Sequence, residues 1–339
     1  MRFSTLIGHR RILTLLSRAL VRGTLPPTLL FVGPSGVGKF LVAEAVAAAL
    51  NCLSPVRREG HELPFDACGV CRACDRIGRG LHVDVLRLGP DERASIKIDR
   101  VREALDRAAF RPFEGRRRVV IVREADTLEH SAQNALLKSL EEPPPGTIFI
   151  LTTPVPGALL PTVVSRGMRL AFGRLTASDL AAVLVGRHGY QADDARATAA
   201  LADGSPGQAL ALGSTDLALL RETALVLLQL AATNAPFSAR LQAAAALVGG
   251  PAKKERSRED VGLILRSLAS MLRDVEVLNA GAATEVLANP ALLAELERVQ
   301  RAFSGDRARS AFIAVDRAIA ALERNAGTKV VADWLSVQL

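Results

Sequence analysis

The sequence predicts an α/β domain built on a mostly parallel sheet, followed by segments that are helical throughout. Three observations carry that expectation. Short apolar runs rich in Val, Ile and Phe recur up to residue 172 and alternate with helical stretches, the pattern of a parallel sheet covered by helices. The strand signal vanishes after about residue 174, and Ala/Leu-rich stretches run to the end. The 339 residues are 49% hydrophobic with one Trp and one Tyr, a composition that favours helices over an all-β fold.

The elements follow in order. MRFSTLIGHRRILTLLSRAL at 1–20 has amphipathic periodicity, and Arg10, Arg11 and Arg18 break what would otherwise read as a signal core. TLLFVG at 28–33 is a short strand leading straight into GPSGVGKF at 33–40, after which LVAEAVAAAL at 41–50 is helical. Further strands are expected at 83–88, 118–122, 147–153 and 168–172, with helices around 98–110 and 130–142. These make a first domain of 1–173. A small helical module at 174–214 and a larger helical domain at 215–339 complete the chain, punctuated by DGSPG at 203–207, GGPAKK at 249–254 and NAG at 279–281.

GPSGVGKF has the form of a phosphate-binding loop whose last residue departs from the pattern. Gly33, Ser35, Gly36 and Gly38 bring backbone N–H groups to nucleotide phosphates and Lys39 neutralises their charge. The eighth position should supply a hydroxyl to magnesium, and Phe40 cannot coordinate a hard cation that takes oxygen ligands. RVVIVREAD at 118–126 has the shape of the acidic strand opposite such a loop, but Arg123 stands where the first carboxylate belongs, ahead of Glu124 and Asp126. ATP or ADP remain open as ligands, and magnesium is disfavoured by both charge and chemistry.

Cys52, Cys68, Cys71 and Cys74 are all the cysteines of the chain and read C-x15-C-x2-C-x2-C. Two CxxC steps sharing Cys71 match thiolate zinc spacing, and four soft ligands with no open position imply a structural Zn²⁺. Thiolate number alone also admits an iron–sulfur cluster. The insert lies between the phosphate-loop helix and the next strand, as an excursion from the domain.

VVIVREADTLEHSAQNALLKSLEEPP at 119–144, then TIFILTT and TVVSR at 162–166, closely resembles the clamp-loader branch of the AAA+ ATPases. The resemblance implies a nucleotide-binding domain with a zinc insert, a helical lid at 174–214 and a helical collar at 215–339. It implies that Ser165-Arg166 matches the Ser-Arg that reaches a neighbour's ATP, with Gly167 in place of the usual cysteine. Thr152 and Thr153 fall where the family places its first sensor, and Glu124 where it places its catalytic acid. Gly207 stands where a motor subunit carries its second-sensor arginine. With Phe40 and Arg123 this makes three losses at one site. The resemblance therefore implies a non-motor subunit of the DNA polymerase III clamp loader that donates Arg166 in trans and has no ATPase activity of its own. Implied partners are the motor subunits (gamma/tau), the delta subunit, the sliding clamp and primed DNA. Two other readings stay open: an active ATPase of the motor type, and a zinc-stabilised DNA-binding protein with a relic phosphate loop.

The formal charge of +8 suits nucleic acid or acidic partners. Arg116, Arg117 and Arg118 read as a solvated turn or a DNA contact. Gln133, Asn134, Lys138, Glu141 and Glu142 lie on a helix whose Leu136, Leu137 and Leu140 form a buried face. No apolar run approaches the roughly 18 residues of a membrane span, and the expected location is the cytoplasm.

Overall fold

The structure is a computed structural model that describes residues 1–91, 95–202, 204–212, 217–233, 236–249, 256–323 and 326–339. Residues 250–254 of the expected break at 249–254, and the expected boundary at 214/215, lie outside the described residues. The chain divides into two units, Met1–Asp179 with Ser205–Gly207, and Leu180–Gly204 with Gln208–Leu339.

The first unit is a parallel sheet with helices on both faces. In chain order it runs α1 (Arg10–Arg22), β1 (Thr28–Val32), α2 (Lys39–Asn51), β2 (Val56–Arg57), β3 (Phe65–Asp66) and α3 (Arg72–Gly78). It continues with β4 (Val85–Leu88), α4 (Ile98–Ala109), β5 (Arg118–Val122), α5 (His130–Glu141), β6 (Thr147–Thr153), α6 (Pro161–Val164) and β7 (Met168–Ala171), and α7 (Ala177–His188) leads out of it. The strand order is β4-β5-β6-β1-β7, and every neighbouring pair is parallel. The expected strands all form. What the sequence reading did not anticipate is the β2–β3 hairpin and α3, both inside the cysteine insert.

The central strands β1, β5 and β6 are buried at every position, as expected of a sheet covered on both faces. Their residues alternate between two cores. Leu29, Phe31, Val119, Ile121, Ile148 and Ile150 pack with α1 and α2, whereas Leu30, Val32, Val120, Val122, Phe149 and Leu151 pack with α4 and α5. The first core also contains Cys52, Phe65, Ala67, Cys74 and Ile77. The cysteine insert is therefore part of the domain core and not an excursion from it. Asp66 accepts hydrogen bonds from the N–H groups of Phe3 and Ser4, and Ser17 on α1 exchanges two with the backbone of Phe65.

The second unit is helical, with α8 (Ala192–Leu201), α9 (Pro206–Leu212), α10 (Leu217–Ala232), α11 (Phe237–Val248), α12 (Arg258–Asn279), α13 (Leu293–Gln300), α14 (Asp306–Glu323) and α15 (Thr328–Gln338). Helix α12 starts at a capping box of Ser257 and Asp260 and packs against α10, α13 and α14. Its stripe of Val261, Leu265, Leu268, Met271, Leu272 and Val275 is buried by these intramolecular neighbours. No helix among the described residues is long and apolar enough to cross a membrane.

Candidate functional site

Three constellations lie in the first unit. The phosphate loop leaves the C-terminal end of β1, the position where open α/β sheets bind ligands. Gly33, Gly36 and Gly38 all have positive φ, which shapes the backbone into the turn that aims N–H groups at an anion. Gly33 is also required by space, since a Cβ there would lie 2.2 Å from the carbonyl oxygen of Phe172. Lys39 Nζ donates to the carbonyls of Gly33 at 2.5 Å and Pro34 at 2.7 Å, so the lysine is folded back onto its own loop. Burial pushes its pKa down, against the pull of Asp126 and Glu124. Three more contacts brace the loop. His9 Nε2 bonds the carbonyl of Val37 at 2.8 Å, Ser205 Oγ donates to Ser35 O at 3.1 Å, and Gly207 N–H donates to Gly36 O at 3.0 Å. A Cβ at Gly207 would stand 3.1 Å from Gly36 Cα, so a glycine suits this close approach.

Opposite the loop, Arg123 lies 5.6 Å from the Phe40 ring centre in a cation–π contact and pairs with Glu124 at 3.3 Å. The two residues that replace the expected magnesium contacts thus meet each other. Glu124 has a left-handed backbone at φ 52°, uncommon for a residue with a Cβ. Its N–H donates to Thr152 Oγ1 at 3.3 Å, while Thr153 Oγ1 donates to Asp126 at 2.9 Å and accepts from Val155 N–H at 3.0 Å. The structure brings all eight expected nucleotide residues to this one end of the sheet. The glycine turn and Lys39 fit a phosphate, but the Phe40–Arg123 pair does not fit a magnesium ion.

The second constellation is the cysteine cluster. The four sulfurs all lie within 4.8 Å of one another, with Cys52 to Cys71 at 3.9 Å and Cys68 to Cys74 at 4.0 Å. Tetrahedral thiolates about 2.3 Å from a zinc ion stand about 3.8 Å apart, so this set can hold a single metal ion. A multi-iron core would spread the sulfurs further. Cys68 N–H points at Cys52 Sγ and Cys71 N–H at Cys68 Sγ, at 3.2 and 3.3 Å, which favours thiolates. Against desolvation, which raises it, the amides of Cys74 and Leu53 and the neighbouring thiols hold Cys71 down to about 6, whereas burial pushes Cys52 and Cys74 up.

The third is a cleft of about 510 Å³ at the other end of the sheet, lined by Pro26, Pro27, Thr28, Leu140, Glu141, Ser165, Arg166 and Met168. Arg166 donates from Nη1 to Thr162 O at 2.6 Å and from Nη2 to the Glu141 carboxylate. Ser165 Oγ donates to the same carbonyl at 3.2 Å. Arg166 Nε and Thr28 Oγ1 are buried with no hydrogen-bond partner.

Sequence reasoning missed a buried knot. Arg118, expected in a solvated turn, is buried and pairs with Asp84 at 2.7 Å, while Arg116 and Arg117 are exposed. Asp84 also accepts from the N–H groups of Phe113, Glu114 and Gly115, each at 2.8 Å. The aspartate inside VDVLRL was the available signal, since a charge in an apolar strand needs a partner. Gln133 is buried too. It donates to Leu128 O and Ala158 O and accepts from Leu160 N–H, joining the loops before α5 and α6.

The family model described as DNA polymerase III, delta subunit matches residues 8–176. DNA polymerase III subunit tau of Bacillus subtilis is 35% identical over 186 residues, 55% of this chain and 31% of that protein. Subunit delta' of Pseudomonas aeruginosa is 38% identical over 143 residues, 42% of each chain. The chain thus spans about a third to two fifths of these curated relatives. A gamma subunit-related structure from Thermotoga maritima aligns over 96% of this chain and 98% of its own, at 18% identity and a TM-score of 0.41. Through residues 8–176, which hold the phosphate loop, the four cysteines and Ser165-Arg166, the chain belongs to the clamp-loader family of AAA+ proteins.

Proposed function

We propose that this chain is a delta-prime-type, non-motor subunit of a DNA polymerase III clamp loader, which places Arg166 in trans at a neighbouring subunit's ATP site. The observation that carries the reading is a contrast within the first unit. The resident loop has Phe40 and Arg123 where magnesium would be held, while Ser165-Arg166 is kept on an open cleft. A guanidinium is planar and permanently charged, so it can bind γ-phosphate oxygens and stabilise their charge in the transition state. The partners are the gamma/tau motor subunits and delta, and the assembled complex, working in the cytoplasm, opens a sliding clamp on primed DNA. On this reading 174–214 is a lid and 215–339 a collar for the ring.

The test is the primed-DNA-stimulated ATPase of the loader reconstituted with motor and delta subunits, comparing wild type with Arg166→Ala. A large fall with assembly intact is expected. Magnesium-dependent hydrolysis by the isolated chain, abolished by Lys39→Ala, would instead favour a motor subunit, and tight salt-dependent DNA binding without affinity for motor subunits would favour a DNA-binding protein.

The cysteine cluster is assigned a structural Zn²⁺ that staples α2 to α3. Zinc-thiolate binding in small modules is worth about 10–16 kcal/mol. Because Phe65 and Asp66 of the insert hold α1 and the first residues, chelation is expected to release amide-exchange protection at 1–5 and in α1 as well as at 52–78. Unchanged exchange in a protein proved metal-free would refute the assignment.

A further inference from the structure

The Arg166 cleft carries an inference about how the arginine is held. It rests on the reading of Arg166 as a group that acts on a neighbour. Glu141 is the last residue of α5, and its carboxylate receives the guanidinium that would otherwise face the cleft. The pair is partly open, with side chains 28% and 49% exposed for Arg166 and Glu141. Arg166 Nε and Thr28 Oγ1, the latter on a residue only 3% exposed, lack partners at the lining of the same cleft.

We propose that Glu141 is an internal stand-in for an incoming phosphate: it keeps Arg166 docked on its own subunit until a partner's phosphate oxygens displace it. A carboxylate and a phosphate both present anionic oxygens to a guanidinium N–H, so a phosphate oxygen can replace Glu141 Oε1 at Nη2 while Nη1 keeps Thr162 O. The exchange has a direction. A phosphate brings more negative charge than a carboxylate, and Glu141 cannot stay beside it without repulsion. Thr162 O, which accepts from Nη1, stays available to orient the arginine after Glu141 lets go. Holding the arginine reduces the fraction of molecules ready to engage, and the apparent affinity of the neighbouring site falls by that fraction.

The test uses the reconstituted loader with wild type, Glu141→Gln, Arg166→Ala and the double variant, following ATPase rate against ATP concentration. Glu141→Gln keeps the shape and removes the charge. It is expected to lower the ATP concentration for half-maximal rate by about two- to fivefold, the range spanned by a partly exposed ion pair, with the maximal rate unchanged. Arg166→Ala should lower the maximal rate, and the double variant should behave like it. In the isolated chain, Arg166 of Glu141→Gln should react faster with an arginine-selective dicarbonyl, read by mass spectrometry. If Arg166→Ala lowers the rate but Glu141→Gln changes neither half-saturation nor dicarbonyl reactivity, the stand-in role is wrong and the action in trans survives. If Glu141→Gln lowers the maximal rate as Arg166→Ala does, Glu141 orients the arginine and the proposal is overturned. An Arg166→Ala complex that assembles and runs at the wild-type rate removes the underlying reading, and this proposal with it.

Discussion

Two arginine–carboxylate pairs in the first unit use the same chemistry in opposite ways. Arg118 and Asp84 are buried, with side chains 8% and 0% exposed, and Asp84 takes three backbone N–H groups besides. Arg166 and Glu141 face an open cleft, and each arginine leaves its Nε unmatched. A buried pair cannot open without stranding a charge, whereas a half-exposed pair exchanges partners at little cost. The same two functional groups thus serve as a fixed joint in one place and an exchangeable contact in the other. The difference lies in burial and in how many further hydrogen bonds close the set.

The sharpest way to break this comparison is Arg166→Ala. Arginine fingers in other phosphoryl-transfer systems are worth about 10³–10⁵ in rate, so the partner site in the reconstituted loader should lose activity on that scale. Amide exchange of the isolated variant should match wild type. Loss of fold together with activity would make Arg166 a joint like Arg118.

Asp84→Asn should do the reverse. Removing one member of a buried pair costs about 3–5 kcal/mol, read as faster exchange of the β5 and β6 amides, because the one tryptophan, Trp334, lies in the other unit. Acid should reproduce part of that loss. Desolvation alone would raise the Asp84 carboxyl, but Arg118 and the amides of Phe113, Gly115 and Glu114 outweigh it and hold it at about 2, below its ordinary 3.8. A depressed carboxyl stabilises the fold above its unfolded pKa and loses that contribution as the proton binds. About 2 kcal/mol should therefore disappear between roughly pH 4 and pH 2, and Asp84→Asn should remove that part of the pH dependence. Buried His82, pushed below its ordinary value by desolvation, resists protonation and works in the same sense at higher pH.

Gln133→Ala is the intermediate case. It strands the carbonyls of Leu128 and Ala158 and the N–H of Leu160, for an expected loss of about 1–3 kcal/mol in the exchange of α5. A loss below that range would mean that water takes over these groups and that the α5–α6 junction is looser than it looks. The smallest effect belongs to Glu141→Gln, whose stability should stay within about 0.5 kcal/mol of wild type. A larger fall would erase the distinction between the two pairs.

Much of this was written locally. TLLFVG followed by GPSGVGKF specifies a strand, a turn and a helix within two dozen residues, and the apolar runs at 118–122 and 147–153 declare strands buried on both faces. The replacements Phe40 and Arg123 and the spacing of the four cysteines are legible without coordinates, because each depends on residue type at a fixed offset. Arg118 was not legible. It ends a run of three arginines that local composition assigns to solvent, and its partner is 34 residues away.

By itself, then, the sequence determined the parallel α/β domain, the departure of the phosphate loop from a magnesium site, and the set of thiolates. Only the tertiary structure decided which charges meet. Strand order sets β4 beside β5 and so puts Asp84 on Arg118, and it sets β1 beside β7 and so opens a cleft where Glu141, 25 residues from Arg166, can reach it. The physical reason is range: helices, turns and metal spacings are fixed by neighbours along the chain, whereas the burial that makes one ion pair permanent and another exchangeable depends on what the fold packs around it.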